Sequence, residues 1–238
     1  MGKLFAWLFA AGKLGKLLIT GGSMILSMFV YSLTFGWKYA VGFVMLIFFH
    51  EMGHYMAARS RGLDVGAPTF IPFVGAWIQL KDLPHDVHTE AYIGFAGPLV
   101  GTLAAIGCYW IARSEGSQLM LALAYSGFML NLFNLIPISP LDGGRITAII
   151  SPKIWLIGAP LLVALFFYNP SPMLILIAVL ALPQLKAALQ KDGGASDLPE
   201  GYYEVDASVR INYAVFYLGL AAFLAIMSYE LHKTLPQP

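Results

Sequence analysis

The stretch Phe48-Phe49-His50-Glu51-Met52-Gly53-His54 decides how this chain is read. It sets two histidines four residues apart, with a glutamate beside the first. Positions i and i+4 of a helix lie on one face. His50 and His54 can therefore grip one zinc ion from the same side, and Glu51 can reach the open coordination position. Zinc lowers the pKa of a bound water to roughly 7, and a carboxylate beside it can take the proton. This is an arrangement suited to hydrolysing an amide.

The surroundings of the motif are apolar. It lies within Lys38–Ala58, a run long enough to cross a bilayer, which needs about 20 residues. An ionised side chain in such a run costs on the order of 3 kcal/mol on insertion scales, so intramembrane ionisable groups point to function. The whole chain has the same character. Of its 238 residues, 58% are hydrophobic and 11% charged, and the mean hydropathy is +0.72. Soluble domains carry more than twice that share of charge. The net charge of +1 gives no clustered basic surface for nucleic acid. The single cysteine, Cys108, sits in an apolar run and has no intramolecular disulfide partner.

Working outward, further spans are expected at Leu18–Phe35, Ala91–Ala112, Leu119–Ile136 and Ile211–Tyr229. A broken apolar pair fills Ile154–Leu185, interrupted by Asn169-Pro170-Ser171-Pro172. The fold class is thus an all-α polytopic membrane protein with six to seven transmembrane helices. Residues 1–17 read as an amphipathic segment on the membrane surface. Residues 63–82 mix prolines and glycines with Phe70, Ile71, Val74, Trp77 and Ile78. They are expected to form a membrane-dipping β-hairpin-like segment, since non-helical backbone is tolerated only where protein or a cavity buries it. Residues 190–209 read as a polar loop. The chain is treated as one membrane-embedded domain, 1–238, with a core at 38–150 and additional helices at 1–37 and 151–238. Lys3, Lys13, Lys16, Arg59, Arg61, Lys81, Arg145, Lys153, Lys186, Lys191 and Arg210 fall on one side. That bias sets the N-terminus and the motif toward the cytoplasm.

A catalytic zinc usually takes three protein ligands and a water. The residues leave two sources for the third. One is the polar cluster His85, Asp86, His88 and Glu90. The other is Asp142, between prolines and Gly143-Gly144, which could equally be an ordinary turn aspartate.

A resemblance bears on this choice. H-E-x-G-H in an apolar span, with Asn134-x-x-Pro137-x-x-x-Leu141-Asp142-Gly143-Gly144 far downstream, resembles the site-2 protease family of intramembrane zinc metalloproteases. Phe95-Ala96-Gly97-Pro98-Leu99 is similar to a glycine-proline turn of that family's core, and Pro68–Ala76 to its hairpin. The resemblance covers about residues 38–150. It implies one catalytic Zn²⁺ held by His50, His54 and Asp142, with Glu51 as general base. Asn134 would stabilise the oxyanion or fix the substrate backbone. It also implies membrane-anchored protein substrates, cleaved in or near their transmembrane segments in regulated proteolysis, in a membrane of prokaryotic type. A substrate unwound from its helix would pair as a strand with Val74–Leu80. Gly53 would let a neighbouring element approach closely. The competing reading is a membrane zinc-binding or zinc-transport protein, in which Glu51 would be a ligand or proton relay.

Overall fold

A computed structural model describes residues 2–73, 75–77, 84–189 and 198–235. It is mostly helical. In chain order the elements are α1 (Gly2–Phe35), α2 (Trp37–Ser60), β1 (Thr69–Ile71), β2 (Gly75–Trp77), α3 (Val87–Glu115) and α4 (Gln118–Asn134). After these come α5 (Asp142–Ala148), a 3₁₀ turn (Pro152–Ile154), α6 (Trp155–Tyr168), α7 (Pro172–Leu189) and α8 (Ala207–Thr234).

Local chemistry explains most boundaries. Gly36 has φ +79° and separates α1 from α2. Gly62, also at φ +79°, lies just past the end of α2. Both take the left-handed conformation that costs glycine little. Asp86 caps α3 by accepting from the Thr89 amide at 2.6 Å, and Ser117 caps α4 by accepting from Met120. The break at Asn169–Ser171 separates α6 from α7.

Among the described residues, five helical stretches are long and apolar enough to cross a membrane: Leu18–Phe35, α2, α3, α7 and α8. The other two expected spans are shorter. α4 has 17 residues, at the lower limit for a span, and α6 has 14, or about 21 Å of helix. One expectation is corrected. Phe95–Leu99 is not a turn but the interior of a continuous α3, with Pro98 inside the helix. Proline there removes one backbone donor, and the helix runs on without it.

α2 and α3 form the centre, with α4 packed on both and α8 on α4. Phe128, Ala124 and Ala105 meet Leu224 and Leu231 of α8 in one buried cluster. The α2–α3 approach is close because Gly53 faces the Ala96 carbonyl directly, leaving no room for a Cβ. Gly143 and Gly144 do the same for α5, whose backbone folds back onto residues 135–139.

β1 and β2 pair antiparallel, with Phe70 opposite Ala76. A stripe on α1 holds the outer side of β1 and its flanks. Thr20 donates to the Pro68 carbonyl at 2.7 Å, the Phe70 amide donates to Ser23 at 3.1 Å, and the Phe73 amide donates to the Tyr31 hydroxyl at 2.9 Å. These residues recur at helical spacing on one face of α1. Residues 74 and 78–80 of the expected pairing stretch, and 190–197 of the expected polar loop, lie outside the described residues.

The close crossing yields a prediction. Gly53→Ala should destabilise the fold by about 1–3 kcal/mol, the usual cost of overpacking. Thermal unfolding in detergent would show this as a lowered midpoint. Gly21→Ala, with nothing near its would-be Cβ, should leave the midpoint unchanged or slightly raised.

Candidate metal centre

His50 and His54 lie one turn apart on α2, both buried. Their rings stand nearly perpendicular, with centroids 4.8 Å apart. Their Nε2 atoms are 3.1 Å from each other. Asp142, the first residue of α5, completes the group. Its two carboxylate oxygens stand 3.1 Å from His50 Nε2 and 3.2 Å from His54 Nε2. The structure thus gathers three residues from two helices distant in sequence.

The tautomers follow from the other ring nitrogens. His54 Nδ1 lies 2.8 Å from the Ile93 carbonyl oxygen, which can only accept. His50 Nδ1 lies 2.8 Å from Asn131 Oδ1. The orientation of that amide is fixed because Asn131 Nδ2 donates to the Gly127 carbonyl at 2.7 Å. Both Nδ1 atoms therefore carry the proton, and both Nε2 atoms present lone pairs. Two lone pairs and a carboxylate converge on one buried point. Such a set is repulsive unless protons or a cation occupy the centre.

A cation fits. Tetrahedral zinc with bonds of about 2.0–2.2 Å places its ligand atoms roughly 3.3–3.5 Å apart. The separations here, 3.1 Å between the two Nε2 atoms and 3.1 and 3.2 Å from them to different Asp142 oxygens, lie slightly below that range. A small outward adjustment around an ion would bring them to it, and three protein donors would leave the fourth position of a tetrahedral zinc for water.

Glu51 is buried beside this group and makes no hydrogen bond to the described residues. Its carboxylate lies within electrostatic reach of His54, His50, Asp142 and Arg145. Asn134 is the last residue of α4, half-buried, with no side-chain hydrogen bond among the described residues. The polar cluster at 85–90 stands apart from the triad. Asp86 caps α3, and the His88 ring packs edge-on against Tyr213. Glu90 accepts from the Tyr202 hydroxyl at 2.5 Å and faces Arg145 at 3.9 Å. Burial first, and then the Glu90 carboxylate, hold the Tyr202 phenol well above its ordinary value, so it remains a donor. One buried participant went unread in the sequence. Asn131 was visible one turn before Asn134, yet nothing in its spacing from His50 linked the two.

α5 is clamped from behind. Trp155 Nε1 donates to the Gly144 carbonyl at 2.8 Å, and Thr147 Oγ1 to the Gly143 carbonyl at 2.7 Å. A cleft of about 370 Å³ opens at this helix, lined by His85, Glu90, Ser139, Arg145, Gln184 and Tyr202 among others.

Comparison with known proteins agrees with this chemistry. Residues 38–116 match the model of peptidase family M50. That segment holds His50, Glu51 and His54 and ends before Asp142. A zinc metalloprotease of Methanocaldococcus jannaschii is 34% identical over 124 residues, covering 48% of this chain and 36% of its own length. The solved structure of the site-2 protease from Methanocaldococcus jannaschii aligns with 71% of this chain and 86% of its own, at 25% identity and a TM-score of 0.46. The chain spans about a third or less of the length of the curated relatives it matches. Its motif-bearing segment is similar to that of the M50 zinc metalloproteases.

A cation captured here should stabilise the fold by mass action. Zinc at about 100 times its dissociation constant is expected to add roughly 2.7 kcal/mol. The thermal midpoint in detergent should therefore rise with zinc and fall with chelator. Asp142→Ala should abolish the zinc-dependent rise.

Proposed function

We propose that this chain is an intramembrane zinc metalloprotease of the site-2 protease kind, hydrolysing peptide bonds in or near the transmembrane segments of membrane-anchored proteins. The observation that carries the reading is the buried convergence of His50, His54 and Asp142, with the Glu51 carboxylate beside them and without a hydrogen bond among the described residues. The relatives named as zinc metalloproteases support it.

His50 Nε2, His54 Nε2 and one Asp142 oxygen would hold the metal. When bound, zinc supplies Lewis acidity, lowering the pKa of a water at the open position and polarising the scissile carbonyl. The chain's own residues do the rest. Glu51 takes the proton of the attacking water and returns it to the departing amine. Asn134, on the segment that leads to Asp142, donates to the substrate backbone or to the developing oxyanion. The burial of the site excludes bulk water and strengthens each of these interactions.

Address and access belong to the same proposal. The lysine and arginine bias, with Arg59, Arg145, Lys153, Lys186 and Arg210 on one side, favours a cytoplasmic mouth for the site. Arg145 both lines the cleft at α5 and reaches Glu51 electrostatically. A polar approach for water from that side follows. The paired strands would dip into the membrane and offer the edge of β2 to an unwound substrate. α4 and α6 would complete seven crossings, or six if α6 and α7 are partly re-entrant.

Glu51→Gln separates a protease from a zinc carrier. It should keep zinc at wild-type content while cleavage of a reconstituted single-span substrate falls about 10²–10⁴-fold, the range for a lost general base. Cleavage at the wild-type rate by the zinc-loaded variant would refute the reading.

A further inference from the structure

The two histidines are supported in different ways. His54 Nδ1–H is held by a backbone carbonyl, that of Ile93. His50 Nδ1–H is held by a side chain, the Asn131 amide of α4. Asn131 is 1% exposed. Its Nδ2 is engaged by the carbonyl of Gly127, one turn earlier on the same helix. The amide cannot rotate without breaking both bonds. A third helix forms the opposite wall. Gly101 of α3 lies so close that a Cβ there would overlap Asn131 Oδ1, the atom that accepts from His50. The amide is therefore seated where α2, α3 and α4 meet.

We propose that Asn131 is a positioning residue for the metal centre: it fixes the tautomer and ring rotation of His50, with Gly101 supplying the space in which its amide must sit. This rests on the metalloprotease reading above. It assigns a role to an asparagine distinct from Asn134, and it extends the centre to the α3–α4 contact. The physical basis is general. A ligating imidazole that donates its other N–H to an acceptor is held in the binding tautomer and made more basic, and loss of that acceptor costs about 10–100-fold in metal affinity. The simpler role for a buried asparagine between helices is packing through interhelical hydrogen bonds. That role makes a different prediction.

The experiment uses the full chain in detergent, loaded with zinc, and follows zinc transfer to a competing chelator. Asn131→Ala should weaken zinc retention about 10–100-fold. Asn131→Asp keeps an acceptor for His50 Nδ1–H and should restore retention to wild type or beyond. Gly101→Ala, which touches no metal ligand, should weaken retention by displacing the amide. In the Asn131→Ala background the Gly101→Ala change should add nothing, because the displaced group is gone. Cobalt-substituted protein should show altered d–d bands in Asn131→Ala and in Gly101→Ala. If Asn131→Ala does not fold, Gly101→Ala against Asn131→Asp carries the comparison. Wild-type zinc retention in Asn131→Ala, with only a lowered unfolding midpoint, would overturn the proposal and leave packing. Additive losses in the double variant would overturn the Gly101 part. Failure of the wild-type chain to hold zinc would overturn the metal-centre reading itself.

Discussion

Two imidazole lone pairs and a carboxylate meet within about 3 Å of each other inside an apolar bundle. In a low-dielectric interior such a group is costly unless each member is oriented and a positive charge sits between them. The surrounding structure can be understood as the means of meeting that condition. α2 provides two of the three groups through helical spacing alone. The third comes from α5, a helix of only seven residues. A helix that short has no stability of its own in water. It is held instead by backbone contact at Gly143 and Gly144, by Trp155, and by its own Thr147.

The crossing of α2 and α3 has the same purpose. Gly53 and Gly97 let the two backbones approach until the His54 ring lies against the Gly97 Cα, where a methyl group would collide with it. Ile93, one turn earlier on α3, then offers its carbonyl to His54. A run of small residues is common wherever helices pack in lipid. Here the close approach also sets the height and rotation of the His54 ring.

These particulars show what was legible in advance. The H-E-x-x-H spacing is helical geometry written directly in sequence, so the two histidines and Glu51 could be placed together before any fold was known. Asp142 could not, because its approach depends on tertiary packing across α3. Only the resemblance joined it to the histidines. Asn131 was illegible for a related reason. Its partner is 81 residues away, and an asparagine in an apolar helix looks alike whether it meets a ligand or a neighbouring backbone. The turn that the resemblance implied at Phe95–Leu99 is instead helix, because the tertiary contacts of α3 override a single lost donor. Span number was ambiguous because the apolar stretch Ile154–Leu185 is broken at Asn169–Pro172, which leaves α6 only 14 residues.

The hairpin raises a further constraint, since buried backbone polar groups must find partners. β1 has β2 on one side. On the other it meets the α1 hydroxyls of Ser23 and Tyr31, which occupy amides at Phe70 and just beyond the strand. α1 thus stands where a third strand would otherwise be needed. The outer edge of β2 has no such cover among the described residues. Phe70 and Ala76 pack against Ala40, Val44, Ile47 and Phe48, the part of α2 just before His50. The uncovered edge thus belongs to the strand whose Ala76 joins this part of α2. The polar stripe on α1 then has a reason beyond solubility of the hairpin. By occupying one edge, it leaves β2 as the edge at which the proposed pairing with an unwound substrate would occur.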